Sequence, residues 1–215
     1  MKDLLHTWIA LRIAGAIVLP LSVLGVLALS IMIEKAILYR RYAGISDDLL
    51  ALLEAQGVSW ENLEKKLHSI SQHHVFRRFF EVILANRHQP IWWAESRAAD
   101  EAQRIDSALG RRLWVLETIV TAAPLLGLLG TIMGMMDAFR LIGATGLVNP
   151  TGVTGGVARA LIATAMGLLI ALIALFGFNY FSRQQAQTLD ELERLGTRLI
   201  DHIRLDREES GRASA

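Results

Sequence analysis

Two threonines, Thr131 and Thr164, are the best-placed groups for chemistry in this chain, because each puts a hydroxyl inside a long uncharged run. Thr131 lies within Thr118 to Met136, between Glu117 and Asp137; Thr164 lies within Ala160 to Ser182, between Arg159 and Arg183. Neither run holds an Asp, Glu, Lys, Arg or His. A hydroxyl donates and accepts hydrogen bonds but does not store a proton as a carboxylate does. Proton transfer at this depth would therefore need an ionisable group from another chain. A single intramembrane threonine usually back-bonds to its own helix. Two of them on neighbouring helices, each beside small residues, can line a narrow polar path. The small residues are there: Pro124, Gly127, Gly130 and Gly134 around the first, Ala163, Ala165 and Gly167 around the second. Such residues at three- and four-residue spacing let helices approach closely.

Other chemistry finds little support. The chain has no cysteine, which removes disulfides, thiolate metal sites and a cysteine nucleophile. His68, His73, His74 and His88 do not share one helical face, and no carboxylate completes a ligand set, so they read as solvated or half-buried side chains. The Gly-rich segment 137–156 lacks the GKS or GKT that would follow a phosphate-cradling loop. A net charge of +1 with no basic stripe gives no nucleic-acid signature. No nucleophile–base pair appears either. The expectation is a protein without catalytic residues, metal or cofactor.

The elements that position the threonines follow from hydropathy. Three apolar runs, Ile13 to Ile33, Thr118 to Met136 and Ala160 to Ser182, each reach the roughly 18 residues that mark a membrane-spanning helix. The first is too long for a signal-peptide core and is read as a span. The resulting class is an all-α integral membrane protein: three transmembrane helices with long cytoplasmic helical extensions. Its segments are an N-terminal piece 1–12, spans at 13–33, 118–136 and 160–182, a polar domain 34–117, a connection 137–159, and a C-terminal helix and tail 183–215. Pro20 is expected to kink the first span. Within the polar domain, Ser46 to Asp48 caps a helix ending near Gly57, and Ser59 caps the next. Phe76, Phe79, Phe80 and Ile83 mark a third helix, which Asn86 and Pro90 stop. From Ile91 a charged helix continues into the second span, with Gly110 as its weak point. Beyond Arg183, Leu192, Leu195, Leu199 and Ile203 keep an amphipathic helical period suited to bundling or subunit contact.

Orientation comes from charge. Eighteen Lys and Arg residues fall in 34–117 and 183–215, against four in the N-terminal piece and the connection. The basic side is expected to be cytoplasmic, with the N-terminus and the Gly-rich connection outside.

The stretch Ala123-Pro124-Leu125-Leu126-Gly127-Leu128-Leu129-Gly130-Thr131-Ile132-Met133-Gly134, followed by Phe139, resembles the signature of the MotA/TolQ/ExbB proton-channel family. Ala158 to Leu168 resembles the family's third-helix motif, with Asn179-Tyr180 further on. Three spans fit the ExbB/TolQ branch better than the four-span flagellar stators. The resemblance implies an inner-membrane homopentamer around an ExbD- or TolR-like single-span partner whose membrane aspartate carries the proton past Thr131 and Thr164. It further implies that proton flow energises a TonB- or TolA-like transducer for outer-membrane transport or envelope maintenance. Two positions depart from the pattern: Arg159, at the expected periplasmic mouth, stands where ExbB-type sequences commonly have glutamate, and Ile173 where they have proline. These departures support an alternative, a non-conducting scaffold that assembles with such a motor.

Overall fold

The computed structural model describes residues 17–44, 47–54, 59–143 and 150–213. The segment 1–12, the first residues of the first run, the Ser46 cap, the helix end at Gly57 and the Asn149 turn all lie outside the described residues. Everything regular in the described residues is helical. The order is α1 (Val18–Leu38), a π-helical turn (Tyr39–Ala43), α2 (Asp47–Glu54), α3 (Trp60–Ser69), α4 (Val75–Ala85), α5 (Ile91–Gly110), α6 (Leu113–Gly143) and α7 (Pro150–Ala213). Three stretches are long and apolar enough to cross a membrane: one begins at Val18, one ends at Arg140 and one begins at Thr151. The polar connection is shorter than hydropathy alone suggests, since α6 runs on to Gly143 and α7 starts at Pro150. Proline suits a helix start, where its missing N–H has no partner to lose.

The described residues form two compact units. The apolar unit takes the described residues up to Ile33 together with Arg112–Tyr180. It is a set of three helices with Leu21, Ala28, Ile119, Ala123, Ala163 and Ala174 buried between them. Its outward faces carry Val26, Leu125, Phe139, Leu161 and Phe176, all exposed and apolar. A surface of that kind belongs in hydrocarbon or against other apolar helices, not in water. Pro20 falls in the first turn of α1, where its missing donor breaks no helical bond, instead of kinking the helix interior. Pro124, by contrast, is inside α6 and frees the carbonyl four residues before it.

The polar unit takes Glu34–Arg111 and the described residues from Phe181 onward. Its core is Leu63 and Leu67 of α3, Phe76, Phe79, Phe80 and Ile83 of α4, Ile105 and Leu109 of α5, and Leu192, Leu195, Leu199 and Ile203 of α7. These are the periodic positions of each helix, so the amphipathic pattern folds as written. Gly196 lets α7 meet α4: a Cβ there would lie 2.7 Å from the Phe79 ring. Polar ties close the bundle. Trp60 Nε1 donates to Asp206 at 2.7 Å, and Arg204 pairs with Glu95 at 3.3 Å. Arg207 donates to the carbonyls of Arg87 and Gln89. Ser59 occupies the N-cap of α3, but its side chain makes no cap bond; its carbonyl instead accepts the Leu63 N–H.

The charged helix from Ile91 does not continue into the second span. It ends at Gly110, and Arg112 adopts φ 68°, a left-handed conformation that costs a non-glycine residue roughly 1 kcal/mol. Side chains from elsewhere in the polar unit hold the end of α5. Lys35 Nζ donates to the Leu109 carbonyl at 2.5 Å, and Gln185 Nε2 donates to Asp106 Oδ1 at 2.5 Å. A cation on a C-terminal carbonyl is the favourable polarity for a helix end.

His74 caps α4 and lies with Nε2 2.9 Å from the Gly44 carbonyl, while its buried Nδ1 has no partner. Burial pushes its pKa below the ordinary 6.5, and the bond to Gly44 opposes that shift in part. A folded-state pKa below the unfolded one means the unfolded chain binds the extra proton. The associated stability is whole above about pH 6.5 and is lost as pH falls through the folded value. His74→Gln keeps a donor for Gly44 and cannot titrate. Acid unfolding followed by circular dichroism should show a shallower loss below pH 6.5 in that variant than in the wild type.

Candidate functional site

The apolar unit places Thr164 in a seam, the packing line between α6 and α7, while Thr131 stands one turn along α6 past Gly127 with its hydroxyl exposed. The seam's existence rests on missing side chains. A Cβ on Gly127 would come within 3.0 Å of Thr164 Cα and 3.1 Å of the Ala163 carbonyl. One on Gly130 would lie 2.6 Å from Ala163 Cβ, and one on Gly134 2.8 Å from Ala160 Cβ. Gly167 is tightest: its Cβ would sit 2.5 Å from the Ala123 carbonyl and 3.1 Å from Gly127 Cα. The predicted packing residues Gly127, Gly130, Gly134 and Gly167 thus all lie in this seam, whereas Pro124 shapes α6 from within. Glycine on one helix meets glycine or alanine on the other, so backbones touch and weak Cα–H···O contacts become geometrically accessible.

The threonines behave differently from each other. Thr164 Oγ1 donates across the seam to the Gly127 carbonyl at 2.9 Å. Thr131 Oγ1 donates to the Leu128 carbonyl of its own helix at 2.6 Å. The Gly127 carbonyl is the helical partner position of the Thr131 N–H, so the Thr164 hydroxyl reaches the very turn on which Thr131 stands. By contrast, Ser22, Thr118 and Thr121 turn back on Val18, Trp114 and Thr118 of their own helices. Thr164 crosses to the other helix. Sequence spacing placed it beside small residues but gave no sign of an interhelical bond.

With its proton directed at a carbonyl, a threonine oxygen still offers lone pairs. Both threonines are half-buried and can accept a hydrogen bond from a water or from a protonated carboxyl on a neighbouring helix. An acceptor facing a carboxyl favours its neutral form over its ionised one. The arrangement suits an acid that must pick up a proton in a low-dielectric setting.

Arg159 is half-buried on α7, and its Nε donates to the Gly155 carbonyl at 3.1 Å. No carboxylate pairs with it among the described residues. Nearby, Ala138 packs on Gly156, one residue beyond Asp137, which pairs with Arg140 at 3.8 Å. Among the described residues, Arg159 is thus a positive charge without a carboxylate partner. The histidines are dispersed in the polar unit: His74 is on Gly44, while His68 lies 3.4 Å from the Arg77 guanidinium.

The chain matches the model of the MotA/TolQ/ExbB proton channel family over residues 70–194. It is 33% identical over 175 residues to an ExbB-like biopolymer transport protein of Synechocystis, a match covering 78% of this chain and 80% of that one. It is 36% identical over 90 residues to the biopolymer transport protein ExbB of Aquifex aeolicus, covering 42% of this chain and 61% of the relative. The ExbB of Xanthomonas campestris is 38% identical over 98 residues, which is 46% of this chain and 39% of that protein. The matched region includes the seam between α6 and α7.

Proposed function

The chain belongs to the MotA/TolQ/ExbB proton channel family, and from that membership we propose that it is the multi-pass membrane subunit of a proton-driven motor for biopolymer transport. The observation that carries the proposal is the pair of hydroxyls on α6 and α7, both with free lone pairs, in stretches that hold no Asp, Glu, Lys, Arg or His between Thr118 and Met136 or between Ala160 and Ser182. Such a chain needs its acid from a partner. The partner proposed is an ExbD- or TolR-like single-span subunit with a membrane aspartate, surrounded by five copies of this chain. The exposed apolar faces of α6 and α7 supply the surface for that assembly. Each proton crossing about 100 mV releases about 2.3 kcal/mol, so a few protons are enough to drive a mechanical step in a TonB- or TolA-like transducer. The concentration of the chain's Lys and Arg in the polar unit supports a bacterial inner-membrane orientation with that unit in the cytoplasm.

Thr131→Val removes an acceptor without touching the interhelical bond. Loss of one such hydrogen bond, about 1 kcal/mol, should slow proton flux roughly fivefold in proteoliposomes holding the chain and its partner. Undiminished flux in both Thr131→Val and Thr164→Val would remove the hydroxyls from the path. A second reading, a non-conducting scaffold in the same complex, draws support from Arg159, whose unpaired charge repels cations at one end of the seam. An assembled complex with an intact partner aspartate and no flux would favour it.

A further inference from the structure

We infer that one end of the polar unit is a binding site for the phosphate headgroups of anionic lipids. Three tertiary ties bring its segments together. Lys35 reaches the Leu109 carbonyl, Tyr39 stacks on Phe181 with ring centroids 5.8 Å apart, and Gln185 bonds Asp106. Segments 35–41, 106–111 and 181–185 therefore lie side by side. Each carries arginine just past its tie: Arg40 and Arg41 after Tyr39, Arg111 after Leu109, and Arg183 after Phe181.

All four guanidinium-bearing residues are exposed, and none of the four is ion-paired among the described residues. That contrasts with the rest of the unit, where Arg77, Arg78, Arg87, Arg97 and Arg204 each hold a carboxylate. Two carboxylates belong to this end, Asp106, which is engaged by Gln185, and Glu34, which precedes Lys35. Beside Arg40 and Arg41, the residues Leu38, Tyr42, His73, Ile105 and Leu109 border a hollow of about 260 Å³. It offers apolar walls with a phenol, an imidazole and the Arg78 guanidinium, which pairs with Glu101.

The location identifies the anion. The chain leaves the polar unit for the apolar one between residues 33 and 34, 111 and 112, and 180 and 181. Arg111 and Arg183 thus lie within three residues, and Arg40 and Arg41 within eight, of a boundary with an apolar helix, the stretch of chain in which a membrane protein meets lipid phosphates. A free anion has no reason to be concentrated there. Clustered guanidinium groups are the side chains that bind phosphate by paired N–H donors.

The test uses the full chain in a neutral detergent, with thermal unfolding followed as phosphatidylglycerol or phosphatidylcholine is added. Phosphatidylglycerol should raise the midpoint more than phosphatidylcholine does, and added salt should erase the difference. In single variants to Gln, the half-saturating phosphatidylglycerol concentration should rise about fivefold for each arginine replaced. The set Arg40→Gln, Arg41→Gln, Arg111→Gln and Arg183→Gln should lose the difference, and the same set to Lys should keep most of it. Equal stabilisation of the wild type by both lipids would overturn the site without recourse to any variant. Equal stabilisation by soluble glycerol phosphate would overturn its assignment to lipid.

Discussion

Gly167→Ala should destabilise the apolar unit by about 1–3 kcal/mol, the usual cost of forcing extra volume into a packed interface. The added methyl would lie 2.5 Å from the Ala123 carbonyl oxygen and 3.2 Å from the Gly127 nitrogen. Those are backbone atoms, which cannot rotate aside as a side chain can. Relief must come from moving α7 off α6, and the Thr164–Gly127 hydrogen bond would lengthen with it. Gly155→Ala is the matched control, because nothing lies within 4 Å of the Cβ it would add. By helix propensity alone the control should be neutral or more stable by up to about 1 kcal/mol. Detergent unfolding of both variants beside the wild type separates the two effects. A Gly167→Ala protein as stable as Gly155→Ala would show that the helices are not this close.

Lys35→Met is expected to weaken the polar unit by about 1.5–3 kcal/mol, the range for a buried hydrogen bond made by a charged group. The lysine is 1% exposed, and its ammonium holds the Leu109 carbonyl at the end of α5. Methionine preserves most of the volume, so the loss reports the polar contact and not a cavity. The comparison is Lys65→Met, which removes an exposed pair with Glu61 four residues away and should change stability by less than about 0.5 kcal/mol. Denaturant titration of the full chain gives both numbers. Similar values for the two lysines would mean that burial of Lys35 carries no energetic weight.

The residues show why some of this was legible in the sequence and some was not. Apolar runs and the small-residue spacing on α6 and α7 are local properties, and they gave the three long helices and the glycines of the seam. Helix periodicity likewise gave the core positions of α4 and the far part of α7. Lys35 was different. Next to Tyr39, Arg40 and Arg41 it reads as one more interfacial cation, and only the approach of Leu109, distant in sequence, buries it. The end of α5 at Gly110 was marked by a glycine but decided by Lys35 and Gln185, which no local window contains. Thr164 shows the same limit: its composition suggested a polar wall, while its hydroxyl ties two helices together.

Thr164 and Gly127 also fix how α6 and α7 are aligned. A seam of small residues repeated every turn would let one helix slide along the other by a turn and find small residues again. Here that slide meets an obstacle at Thr164. One turn either way along α6 from Gly127 stand Ala123 and Thr131, each with a Cβ where the Thr164 backbone now leaves room for none. The pair is keyed, so a ratchet of α7 past α6 by one helical turn, about 5.4 Å, would have to break the Thr164–Gly127 bond and push the Thr164 backbone aside. Motion of one of these two helices is therefore expected to carry the other with it.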